Sequence, residues 1–191
     1  MKKKINLPNK ITIFRMLVVI AILVLALLPS GATFGAGAFT HDYRSILILV
    51  LFIVGSFSDF LDGYLARKNN LVTTFGKFMD PIADKLLVNT LFIILAGIGR
   101  IHWIIPVIMI SRDIIVDAIR MIVVEQGTVI AASKLGKLKT VTQMIALILI
   151  LAFPGFEFMV YFAYLAAVAS FVSGVDYFWK NRKVLLSDLR G

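Results

Sequence analysis

Four aspartates fall within the 26 residues from 59 to 84, in the stretch DFLDGYLARKNNLVTTFGKFMDPIAD. Asp59 and Asp62 stand three residues apart, and Asp80 and Asp84 four apart. On helices these spacings put each pair on one face. The linking segment is short, so the helices are expected to be neighbours with their carboxylates facing each other. Four crowded carboxylates repel one another and need a compensating cation. Arg67 and Lys85 are too few to supply it. Hard divalent ions, Mg²⁺ or Mn²⁺, take oxygen ligands and fit this need. Two such ions are the arrangement that clamps the attacking and leaving oxygens in phosphoryl transfer. Gly63 and Ala66 lie one turn from Asp59 and Asp62, so a bulky ligand could approach that helix closely. Arg67 could pair with phosphate.

The elements that must position these carboxylates are apolar. Of 191 residues, 60% are hydrophobic and 16% charged, with mean hydropathy +0.93. Soluble domains carry about 25% charged residues. One all-α membrane domain, 1–191, is expected, with an interfacial segment 1–8 and spans near 10–29, 45–66, 80–99, 103–125, 137–153 and 156–179. The second, third and fourth reach spanning length only if their polar ends are counted. The first run is longer than the apolar core of a signal peptide and is expected to be retained. Pro154-Gly155 separates the last two helices. The chain has no cysteine, which excludes disulfides and thiolate chemistry.

Net charge is +9. The cations lie between apolar runs, so topology and anionic headgroups explain them better than nucleic acid does. With six spans both termini share a side. That side holds Lys2, Lys3, Lys4, Lys10, Arg67, Lys68, Lys77, Lys134, Lys137, Lys139, Lys180, Arg182, Lys183 and Arg190, and the other holds Arg44 and Arg100. The termini, and a polar cavity at the ends of the second and third helices, are expected on the cytoplasmic face of the cell membrane.

The pattern Asp-x2-Asp-Gly-x2-Ala-Arg-x8-Gly-x3-Asp-x3-Asp, at Asp59, Asp62, Gly63, Ala66, Arg67, Gly76, Asp80 and Asp84, resembles the signature of the CDP-alcohol phosphotransferases. A chance match is on the order of 10⁻¹⁰ per starting position. The six-helix layout resembles that family too. The stretch from Leu7 to Arg15, the triplet Ser111-Arg112-Asp113 and the basic run from Ser133 to Thr140 resemble the subgroup whose acceptor is glycerol 3-phosphate.

The resemblance implies a CDP-diacylglycerol donor with its pyrophosphate on metal ions held by Asp59, Asp62 and Asp80, with Asp84 nearby. It implies a nucleotide site at Asp59, Gly63, Ala66, Arg67 and Gly76, to which Asn9 and Thr12 are added as candidates. Asp84 is implied as the general base toward the acceptor hydroxyl, CMP as the leaving group, and a homodimer as the assembly. For Asn9, Thr12 and Arg15 the simpler reading is capping of the first helix and snorkelling to the interface.

The acceptor must be read from other residues. Arg112 and Arg120 lie eight apart on the fourth helix, and Lys134, Lys137 and Lys139 begin the fifth. Several cations near one mouth suit an acceptor with its own phosphate, such as glycerol 3-phosphate. The alternatives are a salt-bridge network with Asp113, Asp117 and Glu125, or lysines that only set topology. Other acceptors in the family (inositol phosphate, serine, phosphatidylglycerol) remain open at this level. A cation transporter would leave Gly63, Ala66, Arg67 and Gly76 unexplained, and a scaffold would not need both aspartate pairs.

Overall fold

A computed structural model describes residues 6–29, 33–35, 41–68, 73–125 and 133–188; within them the side chains of 8, 59–68, 74, 77, 183, 184 and 186–188 lie outside the description. Six long helices run in chain order among the described residues: α1 Leu7–Leu27, α2 Tyr43–Lys68, α3 Thr74–Gly97, α4 Ile104–Glu125, α5 Lys134–Ala152 and α6 Val160–Asp188. Between α1 and α2 the strands β1 Thr33–Phe34 and β2 His41–Asp42 pair antiparallel. Arg44 donates to the carbonyl oxygens of Ala26 and Leu28. The terminal turn of an apolar helix, whose last carbonyls lack intrahelical partners, thus gains a cationic donor.

The protein is an all-α membrane protein. Three described segments are long and apolar enough to cross a bilayer by length and composition: Asn9–Leu27, Lys134–Ala152 and Glu157–Arg182. Apart from Lys134, Lys137 and Lys139 at the start of α5, the charged candidates lie on the remaining helices. Arg112, Asp113, Asp117 and Arg120 all sit on α4, and the aspartates on α2 and α3.

Helix limits depart from the apolar runs wherever polar contacts extend a helix. α1 starts at Leu7, earlier than expected, with Pro8 in its first turn, where its fixed φ and missing N–H are tolerated. α3 starts at Thr74 rather than near Asp80, and Pro81 lies inside it. The Thr73 hydroxyl makes this possible by accepting the Gly76 N–H at 3.0 Å, an N-cap bond. α5 begins the same way, with the Gly136 N–H donating to Ser133 Oγ at 2.9 Å. α6 runs on past 179, carried by a Lys180–Asp176 ion pair one turn apart at 2.7 Å and by Asn181 donating to the Tyr177 carbonyl.

Contacts divide the chain into two compact units, one of 1–94 with 150–156, the other of 95–149 with 157–191. In the first, α1 packs along α2, and Gly55 on α2 faces side chains of both α3 and α1. A Cβ there would stand 2.9 Å from Leu87 Cδ2 and 3.5 Å from Val18 Cγ1. Val18, Ile22, Phe52, Leu87 and Leu91 are buried around it. In the second, α4 packs on α6, with Val116, Ile119 and Val123 against Tyr177 and Leu185.

Candidate active site

The first unit carries the acidic residues. Asp80 sits inside α3, and its Oδ1 accepts a hydrogen bond from the hydroxyl of Thr12 on α1. Thr12 is fully buried. Three residues toward the start of α1, Asn9 Oδ1 accepts from Thr73 Oγ1 at 2.7 Å, so the hydroxyl that caps α3 is itself held by α1. Gly76 lies where these groups converge. A Cβ at Gly76 would come within 3.3 Å of both Asn9 Oδ1 and Thr73 Oγ1, and 3.5 Å of Asp80 Oδ2. Glycine at this point of the signature therefore has a steric reason: it gives the Asp80 carboxylate room over the first turn of α3.

Asp84, one turn further along α3, is partly buried. Asp59, Asp62, Gly63, Ala66 and Arg67 lie on α2, and their side chains are outside the described residues. No group of three or more His, Asp or Glu side chains able to hold a metal comes together among the described residues, which include only one of the two aspartate pairs. The donors themselves fit a hard divalent ion. Those of Asp80 and Asp84 are carboxylate oxygens on partly buried residues, and the Asp80 carboxylate is oriented through one oxygen by a neutral hydroxyl, which leaves its charge uncompensated by that bond.

Arg15 departs from the expectation that it snorkels to the interface. It is fully buried, one turn along α1 from Thr12. Asn9 and Thr12 do not cap α1 either. Asn6 stands at the N-cap position with no side-chain bond, while Asn9 and Thr12 reach across to Thr73 and Asp80.

The second unit carries the basic residues. Asp113 on α4 is almost fully buried and receives two cations. Lys139 Nζ on α5 donates to its Oδ1 at 2.7 Å and its Oδ2 at 3.0 Å, and Arg112 Nη1 donates to Oδ1 at 3.1 Å. Arg112 Nη2 donates to Ser173 Oγ on α6 at 2.6 Å. The stem of Arg112 crosses α6 at Gly174, where a Cβ would stand 2.8 Å from Arg112 Cγ. Its guanidinium reaches the first turn of α5, since a Cβ on Gly136 would lie 3.7 Å from Nη2.

Of the five basic candidates, the structure brings Arg112 and Lys139 together and leaves Arg120, Lys134 and Lys137 exposed. Two cations and one carboxylate leave this cluster with a net charge of +1, in a place where Lys139 and Asp113 keep only 8% and 4% of their side-chain surface exposed. Arg112 Nε is buried and meets no acceptor among the described residues. An unsatisfied buried donor costs about 1–3 kcal/mol, so an anion that takes up this N–H would recover that cost. Asp113 and Ser173 were not singled out by sequence reasoning as site residues. The sequence offered Asp113 as an ion-pair partner of Arg112, and the structure makes that pair, whereas Ser173 offered no signal.

With these two regions described, the comparison with known proteins is decisive. A family model described as CDP-alcohol phosphatidyltransferase matches residues 5–173. The chain belongs to this family. Relatives are similar over most of its length. A CDP-diacylglycerol–glycerol-3-phosphate 3-phosphatidyltransferase of Bacillus subtilis is 38% identical over 191 residues, covering 94% of this chain and 97% of the relative. Proteins of the same name from Rickettsia typhi and Mycoplasma genitalium are each 36% identical, covering 91% and 93% of this chain and 95% and 74% of their own. The family match takes in both units, so the Thr12–Asp80 contact and the Arg112–Asp113–Lys139 cluster both lie within the matched CDP-alcohol phosphatidyltransferase domain.

Proposed function

We propose that this protein transfers the phosphatidyl group of CDP-diacylglycerol to glycerol 3-phosphate, giving phosphatidylglycerophosphate and CMP in phospholipid synthesis. Family membership and the names of its full-length relatives support the reaction. The buried cluster at Arg112 is the structural observation that favours a phosphate-bearing acceptor over a neutral one. Its three charged groups sum to +1, and it has a spare guanidinium N–H that a neutral alcohol would leave without an anionic partner.

The roles follow from the chemistry. Asp59, Asp62, Asp80 and Asp84 would hold Mg²⁺ or Mn²⁺, with two ions matching four carboxylates. When bound, such ions neutralise charge on the pyrophosphate and on departing CMP. Thr12 orients the Asp80 carboxylate, and Asn9 with Thr73 holds the first turn of α3 beneath it. Gly63, Ala66, Arg67 and Gly76 would admit the nucleotide. Asp84 takes the proton from the acceptor hydroxyl, whose oxygen attacks the β-phosphorus of the donor; the bond to the CMP oxygen breaks and CMP leaves. Arg112 binds the acceptor phosphate, with Lys139 beside it, while Arg120, Lys134 and Lys137 raise the local positive potential.

A single domain with six spans, its termini and cavity on the cytoplasmic side of the cell membrane, accords with the distribution of Lys and Arg. Such a site lets a lipid donor enter from the bilayer and a soluble acceptor from water. A homodimer is part of this reading through family resemblance.

The test is CMP release from CDP-diacylglycerol by the purified protein, with Mg²⁺ or Mn²⁺, offering glycerol 3-phosphate, inositol phosphate, inositol or serine separately. Release with glycerol 3-phosphate alone, abolished by chelator, is expected. Release with inositol or serine would overturn the reading of the Arg112 cluster, and release with inositol phosphate in place of glycerol 3-phosphate would overturn the choice of acceptor. No release with any acceptor, from folded protein, would overturn the enzymatic assignment.

A further inference from the structure

Asp113 is a puzzling neighbour for an anion-binding arginine. A carboxylate beside the site lowers its positive potential, and electrostatics alone would favour its absence. Its geometry argues for a different purpose. One oxygen, Oδ1, receives both Arg112 Nη1 at 3.1 Å and Lys139 Nζ at 2.7 Å, so two cations from two helices are drawn to one point. Without a shared counter-charge, a guanidinium and an ammonium this close would repel and swing apart. Ser173 fixes the guanidinium from the other side, through Nη2 at 2.6 Å, and the bare backbone of Gly174 leaves the path for its stem. With Nη1 and Nη2 both anchored, the plane of the guanidinium is set, and so is the direction of the unspent Nε–H.

We propose that Asp113 and Ser173 are positioning residues for the acceptor: they hold the Arg112 guanidinium, with Lys139 beside it, so that its unspent Nε–H meets the phosphate of an incoming phosphomonoester. This rests on the reading of Arg112 as the acceptor-phosphate ligand. The dependence on fixed geometry explains why a negative charge is kept where it weakens the field. A planar guanidinium recognises phosphate through donors at set angles, and orientation contributes more than one added unit of potential.

The sign of one measurement separates the possibilities. Asp113→Asn raises the net charge of the cluster from +1 to +2. If Asp113 only dilutes the field, the KM for glycerol 3-phosphate falls. If Asp113 is only structural, the yield of folded protein falls and KM stays where it was. If Asp113 positions the cations, KM rises by about 10–100-fold, with the KM for CDP-diacylglycerol unchanged and kcat changed much less. Ser173→Ala removes one oxygen and keeps all charges, so it serves where Asp113→Asn fails to fold; its expected rise in the same KM is about 5-fold. Both variants are assayed by metal-dependent CMP release in detergent, beside Arg112→Gln. A rise in acceptor KM for Asp113→Asn or Ser173→Ala, tracking a larger rise for Arg112→Gln, supports the assignment. A large effect of Arg112→Gln with no rise for either other variant overturns the positioning role and leaves the acceptor site standing. No effect of Arg112→Gln on acceptor KM overturns the reading on which the proposal rests.

Discussion

Asp80 and Asp113 are both carboxylates on largely apolar helices, and their surroundings differ in kind. Among the described residues, Asp80 is met by a neutral hydroxyl from Thr12, with glycine beneath its other oxygen. Asp113 is met by an ammonium and a guanidinium and is almost fully buried. A carboxylate held by a hydroxyl is oriented but keeps its charge for something else, and a hard metal ion is the partner that suits it. A carboxylate held by two cations has spent its charge inside the protein. What stays available beside it is the Nε–H of Arg112. The same side chain thus prepares one region for a cation and the other for an anion, and the two kinds of region call for different experiments.

The largest effect is expected on the acidic side. Asp84→Asn should lower kcat by about 10²–10⁴-fold, the usual contribution of a positioned general base. Glycerol 3-phosphate should still stabilise that variant against thermal unfolding, because the cations that bind it are untouched. Loss of both turnover and acceptor stabilisation in Asp84→Asn would break the separation of roles drawn above. Next comes the hydroxyl that orients Asp80. Thr12→Val keeps the shape of the side chain and removes the donor. Outer partners of metal ligands typically contribute 10–100-fold in metal affinity. The Mg²⁺ or Mn²⁺ concentration giving half-maximal CMP release should therefore rise about 10-fold, and Thr12→Ser should restore it. An unchanged metal requirement would mean that the Thr12–Asp80 bond serves packing alone.

The aspartates could be found from sequence because their chemistry is periodic: spacings of three and four residues place carboxylates on one helix face whatever the tertiary fold. The helices themselves were legible as apolar runs, but their ends were not. The third apolar run was expected to begin near 80, yet α3 begins at Thr74, because the Thr73 hydroxyl caps it and is itself held by Asn9 ahead of Pro81. The basic site was legible only in composition. Lys134, Lys137 and Lys139 look alike in sequence, and only Lys139 is buried, on an aspartate 26 residues away. Arg112 depends on Ser173, 61 residues further on, a contact that no local pattern encodes. Long-range pairing of single side chains is set by how α4, α5 and α6 pack, and that information is spread over many apolar residues.

Glycines offer an intermediate test of the two regions. Gly174→Ala would put a Cβ 2.8 Å from Arg112 Cγ, close to the backbone where the stem cannot easily yield. Such overpacking costs about 1–3 kcal/mol. Displacement of Arg112 should raise the KM for glycerol 3-phosphate by about 3–10-fold, without altering the metal requirement. Gly55→Ala crowds Leu87 Cδ2 at 2.9 Å instead, the far end of a flexible side chain in the apolar core. It should lower the thermal midpoint slightly and leave both KM and metal requirement alone. Equal KM effects from the two substitutions would show that acceptor binding responds to general loosening rather than to the course of Arg112.

The smallest effect should come from the exposed lysines. Lys134 and Lys137 stand on the first turn of α5, on the same helix as buried Lys139, and carry the same charge. In water their fields are screened within a Debye length of about 8 Å at physiological ionic strength, so they can attract an anionic acceptor without holding it. Lys134→Gln and Lys137→Gln, alone or together, should raise the acceptor KM by less than about 3-fold, and added salt should erase the difference, as steering requires. Arg112→Gln should remain impaired at every salt concentration, since a buried guanidinium is little screened. A titration of KM against ionic strength for these variants therefore tests burial directly. If the exposed lysines proved as costly as Arg112, and equally insensitive to salt, the acceptor phosphate would sit at the mouth of α5, and the buried cluster would be a structural ion pair.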